Sequence, residues 1–145
     1  MMEIIIIGIL LSIIFYELTG ISPGGIIVPG ILVLYINQVD RLIYTVAISL
    51  ITVMVVRLLS IYVLIYGKRR FAIMILISVF LHIVISFILK SLSISLFNVS
   101  IIGVTISGLI ANEMYKQKIR KTLPAMIIVV TLLHMITLII KEIGL

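Results

Sequence analysis

No cysteine occurs in the chain, which excludes a disulfide and any thiolate metal site. The two histidines, His82 and His134, fall in different apolar segments. They read as satisfied bundle residues, and no metal site is expected. Charge is scarce: 11% of the residues are Asp, Glu, Lys or Arg, against about a quarter in soluble domains. No glycine-rich loop ends in Lys-Ser or Lys-Thr, so ATP binding by this chain is not expected. There is no nucleophile elbow, and no paired carboxylates stand beside a histidine. The expectation is therefore no catalytic set and no cofactor here. Any coupled chemistry belongs to a partner.

What is present is aliphatic. The 145 residues are 63% hydrophobic, with a mean hydropathy of +1.47. No soluble core of that size buries so much apolar surface. The expected class is an all-α integral membrane protein, with 1–145 forming a single transmembrane domain in the lipid bilayer. A net charge of +6 would suggest nucleic acid in a soluble protein. Here the basic residues cluster in two short stretches between apolar runs, the placement that insertion gives to cytoplasmic loops. Nucleic acid is not expected as a partner. Glu3 stands where a leader peptide carries positive charge, and no small-residue cleavage site follows, so the first run reads as a retained span.

Six segments can be traced. They are 4–16 (about 1–18 with frayed ends), 20–38, 42–66, 71–89, 92–111 and 123–140. Tyr16, Tyr35, Tyr44, Tyr62, Tyr66 and Tyr115 fall mostly near segment ends, as interfacial aromatics do.

Two of the segments share a pattern. Gly25 to Gly30 and Gly103 to Gly108 both read G-x-x-x-x-G followed by two aliphatic residues, 78 positions apart. The first lies in a stretch with four glycines and two prolines in eleven positions: Gly20, Pro23, Gly24, Gly25, Pro29 and Gly30. Proline removes a backbone donor and glycine loosens a helix. Irregular backbone at membrane depth survives only when buried in protein or lining a wet cavity. A lining role is favoured for the first stretch. For Gly103 and Gly108, lining and close helix packing stand level.

Charge decides whether these segments cross. If both were re-entrant, the basic stretches 66–71 and 113–122 would face opposite sides. If both cross, Lys68, Arg69, Arg70, Lys116, Lys118, Arg120 and Lys121 share one side, leaving Arg41, Lys90 and Lys141 on the other. The positive-inside bias selects the second arrangement. The expectation is about six spans with both termini outside and the two basic loops in the cytoplasm. Three crossings per half turn the second copy upside down, giving two inverted repeats, 1–66 and 71–145, each with a broken middle segment. Arg57 lies deep in the third segment, where an arginine costs about 2.5–3.5 kcal/mol on insertion scales and marks a candidate site. Glu17, at the junction before the first break, is a second candidate.

The stretch Thr19-Gly20-Ile21-Ser22-Pro23-Gly24-Gly25-Ile26-Ile27-Val28-Pro29-Gly30 resembles the first signature of a family of poly-γ-glutamate synthesis and capsule biosynthesis membrane proteins, called CapC or PgsC. Tyr66-Gly67-Lys68-Arg69-Arg70-Phe71 matches that family's aromatic-glycine-basic loop. The stretch from Ile101 through Gly103, Gly108 and Asn112 is similar to its second signature. Ser107 stands where the family often has proline, and Gly24-Gly25 replaces a more usual alanine-glycine pair. The likeness covers nearly the whole chain and adds Thr19 and Asn112 to the candidates.

The resemblance implies a multi-pass plasma-membrane subunit of a complex that makes and exports anionic poly-γ-glutamate. Its implied partners are a cytoplasmic amide ligase, which would hold ATP and a divalent metal, and further membrane-anchored capsule proteins. A homo-oligomer is also open. Thr19, the glycines and prolines of both stretches, Glu17, Arg57 and Asn112 are the polymer-path candidates. The seven basic residues of the two loops are the candidates for contact with ligase or polymer. Two other readings stand beside it: a stand-alone secondary transporter of an anion or amino acid, and a passive anchor for the ligase.

Overall fold

The computed structural model describes residues 2–92 and 102–144. It contains six helices: α1 (Met2–Thr19), α2 (Val28–Leu34), α3 (Val39–Tyr62), α4 (Lys68–Ser91), α5 (Ile102–Gln117) and α6 (Ile119–Ile143). No strand occurs among the described residues. Helices α1, α3, α4 and α6 are long and apolar enough to cross a membrane. At about 1.5 Å per residue, α1 spans roughly 27 Å and α6 roughly 37 Å, against a hydrocarbon core of about 30 Å. Leu76, Phe80, Ile83 and Phe87 form an exposed stripe along one side of α4, at the three- and four-residue spacing of a single helical face. Such a face suits lipid.

The second segment is not a long helix. Gly20, at φ +68°, ends α1 in the left-handed conformation, and its N–H donates to Tyr16 O at 2.7 Å. That is a glycine C-cap. Residues 20–27 then run without helix to α2, which has only seven residues. Pro29 sits in the first turn of α2, where its missing N–H costs nothing.

Contacts gather the chain into two compact units, 1–39 with 113–145, and 40–112. In the first unit α1, α2 and α6 pack on one another. A Cβ on Gly8 would lie 2.6 Å from Gly30 Cα and 2.9 Å from Leu133 Cδ2, and one on Gly30 would lie 3.2 Å from Ile5 Cα and Ile5 O. Here two backbones touch, as small residues allow in membranes. Gly30 therefore packs on α1. Because Gly30 reaches Ile5 and Gly8, the chain after Thr19 has travelled back along α1 by about 16 Å. Eight extended residues cover that distance easily.

The second unit repeats this contact. A Cβ on Gly108 of α5 would lie 3.0 Å from Ile75 Cα and 2.8 Å from Ser78 Oγ of α4. The Ser78 hydroxyl donates between Ile75 O and Val104 O, at 2.8 and 3.1 Å. Ile5 and Gly8 meet the second glycine of the first G-x-x-x-x-G. Ile75 and Ser78 meet the second glycine of the other. The first unit thus groups α1 and α2 with α6, and the second holds α3, α4 and most of α5.

Three expectations change. Helix α5 passes through Gly103 and Gly108 without interruption, so the second stretch is not a break. A glycine that lets helices approach and one that ends a helix look alike in sequence. Residues 93–101, the start of the fifth expected segment, and the surroundings of Gly103 lie outside the described residues. The basic stretches are helical rather than loops: Lys68, Arg69 and Arg70 form the first turn of α4, and only Lys118 separates α5 from α6. Arg57 is exposed and five residues from the end of α3 at Tyr62, about 7–8 Å of helix rise. A side chain that long snorkels to the interface from there, so it does not lie deep in the span.

Candidate functional site

One end of the first unit collects most of the candidates. Thr19 Oγ1 donates to Phe15 O at 2.7 Å and accepts the Ile21 N–H at 3.3 Å. Ser22 Oγ accepts the Gly25 N–H at 3.1 Å, folding the loop on itself. Gly24 and Gly25 hold φ of +88° and +121°, values that L side chains rarely adopt. Pro23 and Gly24 are buried.

The loop is pinned from the far end of the sequence. The Ser22 N–H donates to Gln117 Oε1 at 2.8 Å. Gln117 Nε2 donates in turn to Glu113 Oε2 at 3.2 Å, and Lys116 Nζ donates to Glu113 Oε1 at 3.1 Å. Glu113, Lys116 and Gln117 sit at i, i+3 and i+4, so the last turn of α5 presents them on one face. This polar chain satisfies backbone that apolar surroundings would otherwise leave unpaired.

Beside it stands a strained corner. Lys118 is the one non-glycine residue with positive φ among those described, at φ 74° and ψ 143°. Its carbonyl accepts the N–H groups of Lys121 and Thr122, so it starts α6 in place of a capping side chain. Such a conformation costs about 1–3 kcal/mol in a non-glycine residue. Lys118, Arg120 and Lys121 are exposed, and with Lys116, which pairs with Glu113, they lie within four residues of Gln117 along the chain. Glu17, in the last turn of α1, is exposed at the same end. A glycine loop with a basic rim suits an anion in solution at the membrane surface.

The structure therefore brings Thr19, Gly20, Pro23, Gly24 and Gly25 to one end of one unit with Lys116, Lys118, Arg120 and Lys121. Pro29 and Gly30 lie in the same unit but serve the start and the packing of α2. Arg57, Lys68, Arg69, Arg70, Gly108 and Asn112 belong to the other unit. There Asn112 is buried, and Tyr44 Oη lies 3.1 Å from His82 Nδ1 with the rings edge-on. His82 is the satisfied bundle residue that its apolar setting suggests. Sequence reading missed Ser22, Glu113 and Gln117. The signal available for the last two was the polar i, i+4 pair at the end of an otherwise apolar segment.

Gln117→Leu tests the pin. It leaves the Ser22 N–H without its acceptor, a loss of about 1–3 kcal/mol. Thermal unfolding of the purified chain in detergent should show a clear drop for Gln117→Leu and little change for Lys121→Gln, which removes only an exposed charge.

Comparison with known proteins places these features in a family. A family model described as capsule biosynthesis CapC matches residues 7–123, which include both glycine stretches and the basic corner. PGA biosynthesis protein CapC of Bacillus subtilis (strain 168) is 39% identical over 114 residues, covering 78% of this chain and 76% of that protein. Capsule biosynthesis protein CapC of Bacillus anthracis is 33% identical over 120 residues, covering 82% and 80%. No solved structure matches the chain.

Proposed function

The chain belongs to the capsule biosynthesis CapC family, and from that premise we propose that it is a multi-pass plasma-membrane subunit of a complex that makes and exports poly-γ-glutamate. The observation that carries the reading is the basic-rimmed glycine loop pinned by Gln117. Poly-γ-glutamate bears one free carboxylate per residue. Four cations at the surface end of a bundle attract such a polymer, or an acidic face of the enzyme that makes it. The amide-forming step, with its ATP and divalent metal, is assigned to a cytoplasmic ligase partner. Further membrane-anchored capsule proteins and additional copies of this chain complete the proposed assembly.

The topology follows the same charges. In the first unit, Lys116, Lys118, Arg120 and Lys121 gather at one end and Lys141 alone at the other, so the loop end faces the cytoplasm. Lys68, Arg69 and Arg70 join that side in the six-span arrangement. Cations in the first turn of α4 oppose the helix dipole by about 0.3–1 kcal/mol each. Their position is better accounted for by the membrane side or a partner than by helix stability. The backward run of 20–37 along α1 supports counting this segment as a crossing. The recurrence of the Gly30 contact at Gly108 supports two copies of one plan, inverted by the odd crossing count. The membrane potential, negative inside, favours outward movement of an anion by about 2.3 kcal/mol per charge per 100 mV.

Gly30 and Gly108 serve packing, which leaves the 19–25 loop as the stronger candidate for contact with the polymer. Reversing Lys116, Lys118, Arg120 and Lys121 to glutamate tests the reading in membranes that also hold the ligase. Polymer output and ligase retention should both fall at least about tenfold, and ligase retention by the parent should weaken as salt rises. Unchanged output from the reversed variant would remove the basic rim from the mechanism. Uptake of labelled glutamate by the purified chain alone would favour the transporter reading instead.

A further inference from the structure

The opposite end of the first unit holds a half-open cleft of about 410 Å³, within the range of small-ligand sites. It lies where α1 begins, α2 ends and α6 ends. Apart from Thr137, its polar lining comes from Glu3, Asn37, His134 and Lys141, and the rest of the wall is aliphatic, including Ile4, Ile7 and Leu138. Among the described residues, no hydrogen bond or ion pair engages the side chains of Glu3, Asn37, His134 or Lys141. Glu3 and Lys141 thus line one cavity with opposite charges and do not pair across it. Thr137 also lines it, but its hydroxyl donates to His134 O at 2.7 Å.

Opposite charges held apart over an apolar wall match a particular kind of ligand. A purely anionic group would meet Glu3, and a purely cationic one would meet Lys141. A zwitterion answers both, with its ammonium toward Glu3 and its acid group toward Lys141 and His134, through charge-assisted hydrogen bonds. The aliphatic wall asks for a hydrocarbon continuation. The ends of two membrane-spanning helices put the cleft where lipid headgroups lie.

We propose that this cleft binds the headgroup of an aminophospholipid, with Glu3 holding the primary amine and Lys141 the phosphate. The inference rests on the reading that α1 and α6 cross a bilayer, and it does not depend on what the loop end does.

The test uses the full chain, purified in detergent and freed of lipid. Dioleoyl phosphatidylethanolamine, phosphatidylglycerol and phosphatidylcholine are titrated separately and bound lipid is counted by native mass spectrometry. Phosphatidylethanolamine should bind about tenfold more tightly than either of the others. Glu3→Gln should erase its advantage over phosphatidylglycerol, and Lys141→Gln should weaken both. Both side chains are exposed, so circular dichroism should show the variants folded. Ile7→Trp, which fills the cleft from its wall, should block all three lipids. Equal binding of the three lipids would overturn the proposal, as would an intact preference in Glu3→Gln. Displacement of the lipid by millimolar phosphoethanolamine or glutamate would overturn it in favour of a soluble zwitterion. Alkaline carbonate extraction separates the two readings. A chain that stays in the membrane without lipid preference defeats this inference alone, whereas a chain that is extracted defeats the spanning reading as well.

Discussion

Gly8→Ala should unfold the first unit at a much lower temperature than the parent, and Gly8→Leu should prevent its assembly. The added Cβ would sit 2.6 Å from Gly30 Cα and 2.9 Å from Gly30 N. These are main-chain atoms, so no rotamer change makes room. Overpacking commonly costs 1–3 kcal/mol, and a clash between two backbones should exceed about 3 kcal/mol because the whole of α2 must retreat. The neighbouring glycines give an internal scale. Gly30→Ala meets Ile5 at 3.2 Å and should cost less. Gly108→Ala meets Ile75 Cα at 3.0 Å and Ser78 Oγ at 2.8 Å, and should loosen the second unit by an intermediate amount. Gly20→Ala has nothing within 4 Å and should lose only about 1 kcal/mol, through its left-handed φ. Circular dichroism melts in detergent would give the order. A Gly8→Ala protein as stable as the parent would mean that α1 and α2 do not meet here.

An equally large effect is expected from accessibility labelling, which the cysteine-free sequence makes simple. Single cysteines at Tyr66, Lys118, Gln38 and Glu142 are all at exposed positions. In intact cells, a maleimide that cannot cross membranes should label Gln38→Cys and Glu142→Cys. It should reach Tyr66→Cys and Lys118→Cys only after the cells are opened. The first unit already requires Gln38 and Glu142 to share one end, because Asn37 and Lys141 line the same cleft. The open question is the side taken by Tyr66 relative to Lys118. Six crossings put them together, and re-entrant middle segments would separate them. A single well-placed label thus decides between the two topologies.

Much of this architecture is legible from composition and hydropathy, because lipid enforces helices wherever long apolar runs occur. The helices α1, α3, α4 and α6 fall within a few residues of the expected runs. The Gly-Pro density of 20–30 correctly announces a stretch without a long helix. Other features depend on partners that sequence order does not reveal. Gln117 meets Ser22 from 95 positions away, and neither residue is unusual by itself. Gly108 sits in a continuous helix, and it is glycine because Ser78 and Ile75 crowd against it, a fact of packing. By sequence the basic runs read as loops, since polarity is the only cue. In the structure they are helix ends, where charge meets water just as well. The cleft is invisible in sequence because its polar groups come from three distant segments, one each from the first two and three from α6.

The half-coiled return of residues 20–37 carries a mechanical consequence. A continuous helix has a fixed rise and meets a thinner or thicker bilayer only by tilting or kinking. A segment that begins as open chain and finishes as two turns of helix can change its reach by small torsional adjustments. Its length is therefore governed by where it is tethered, to Gln117 at one end and against Gly8 at the other.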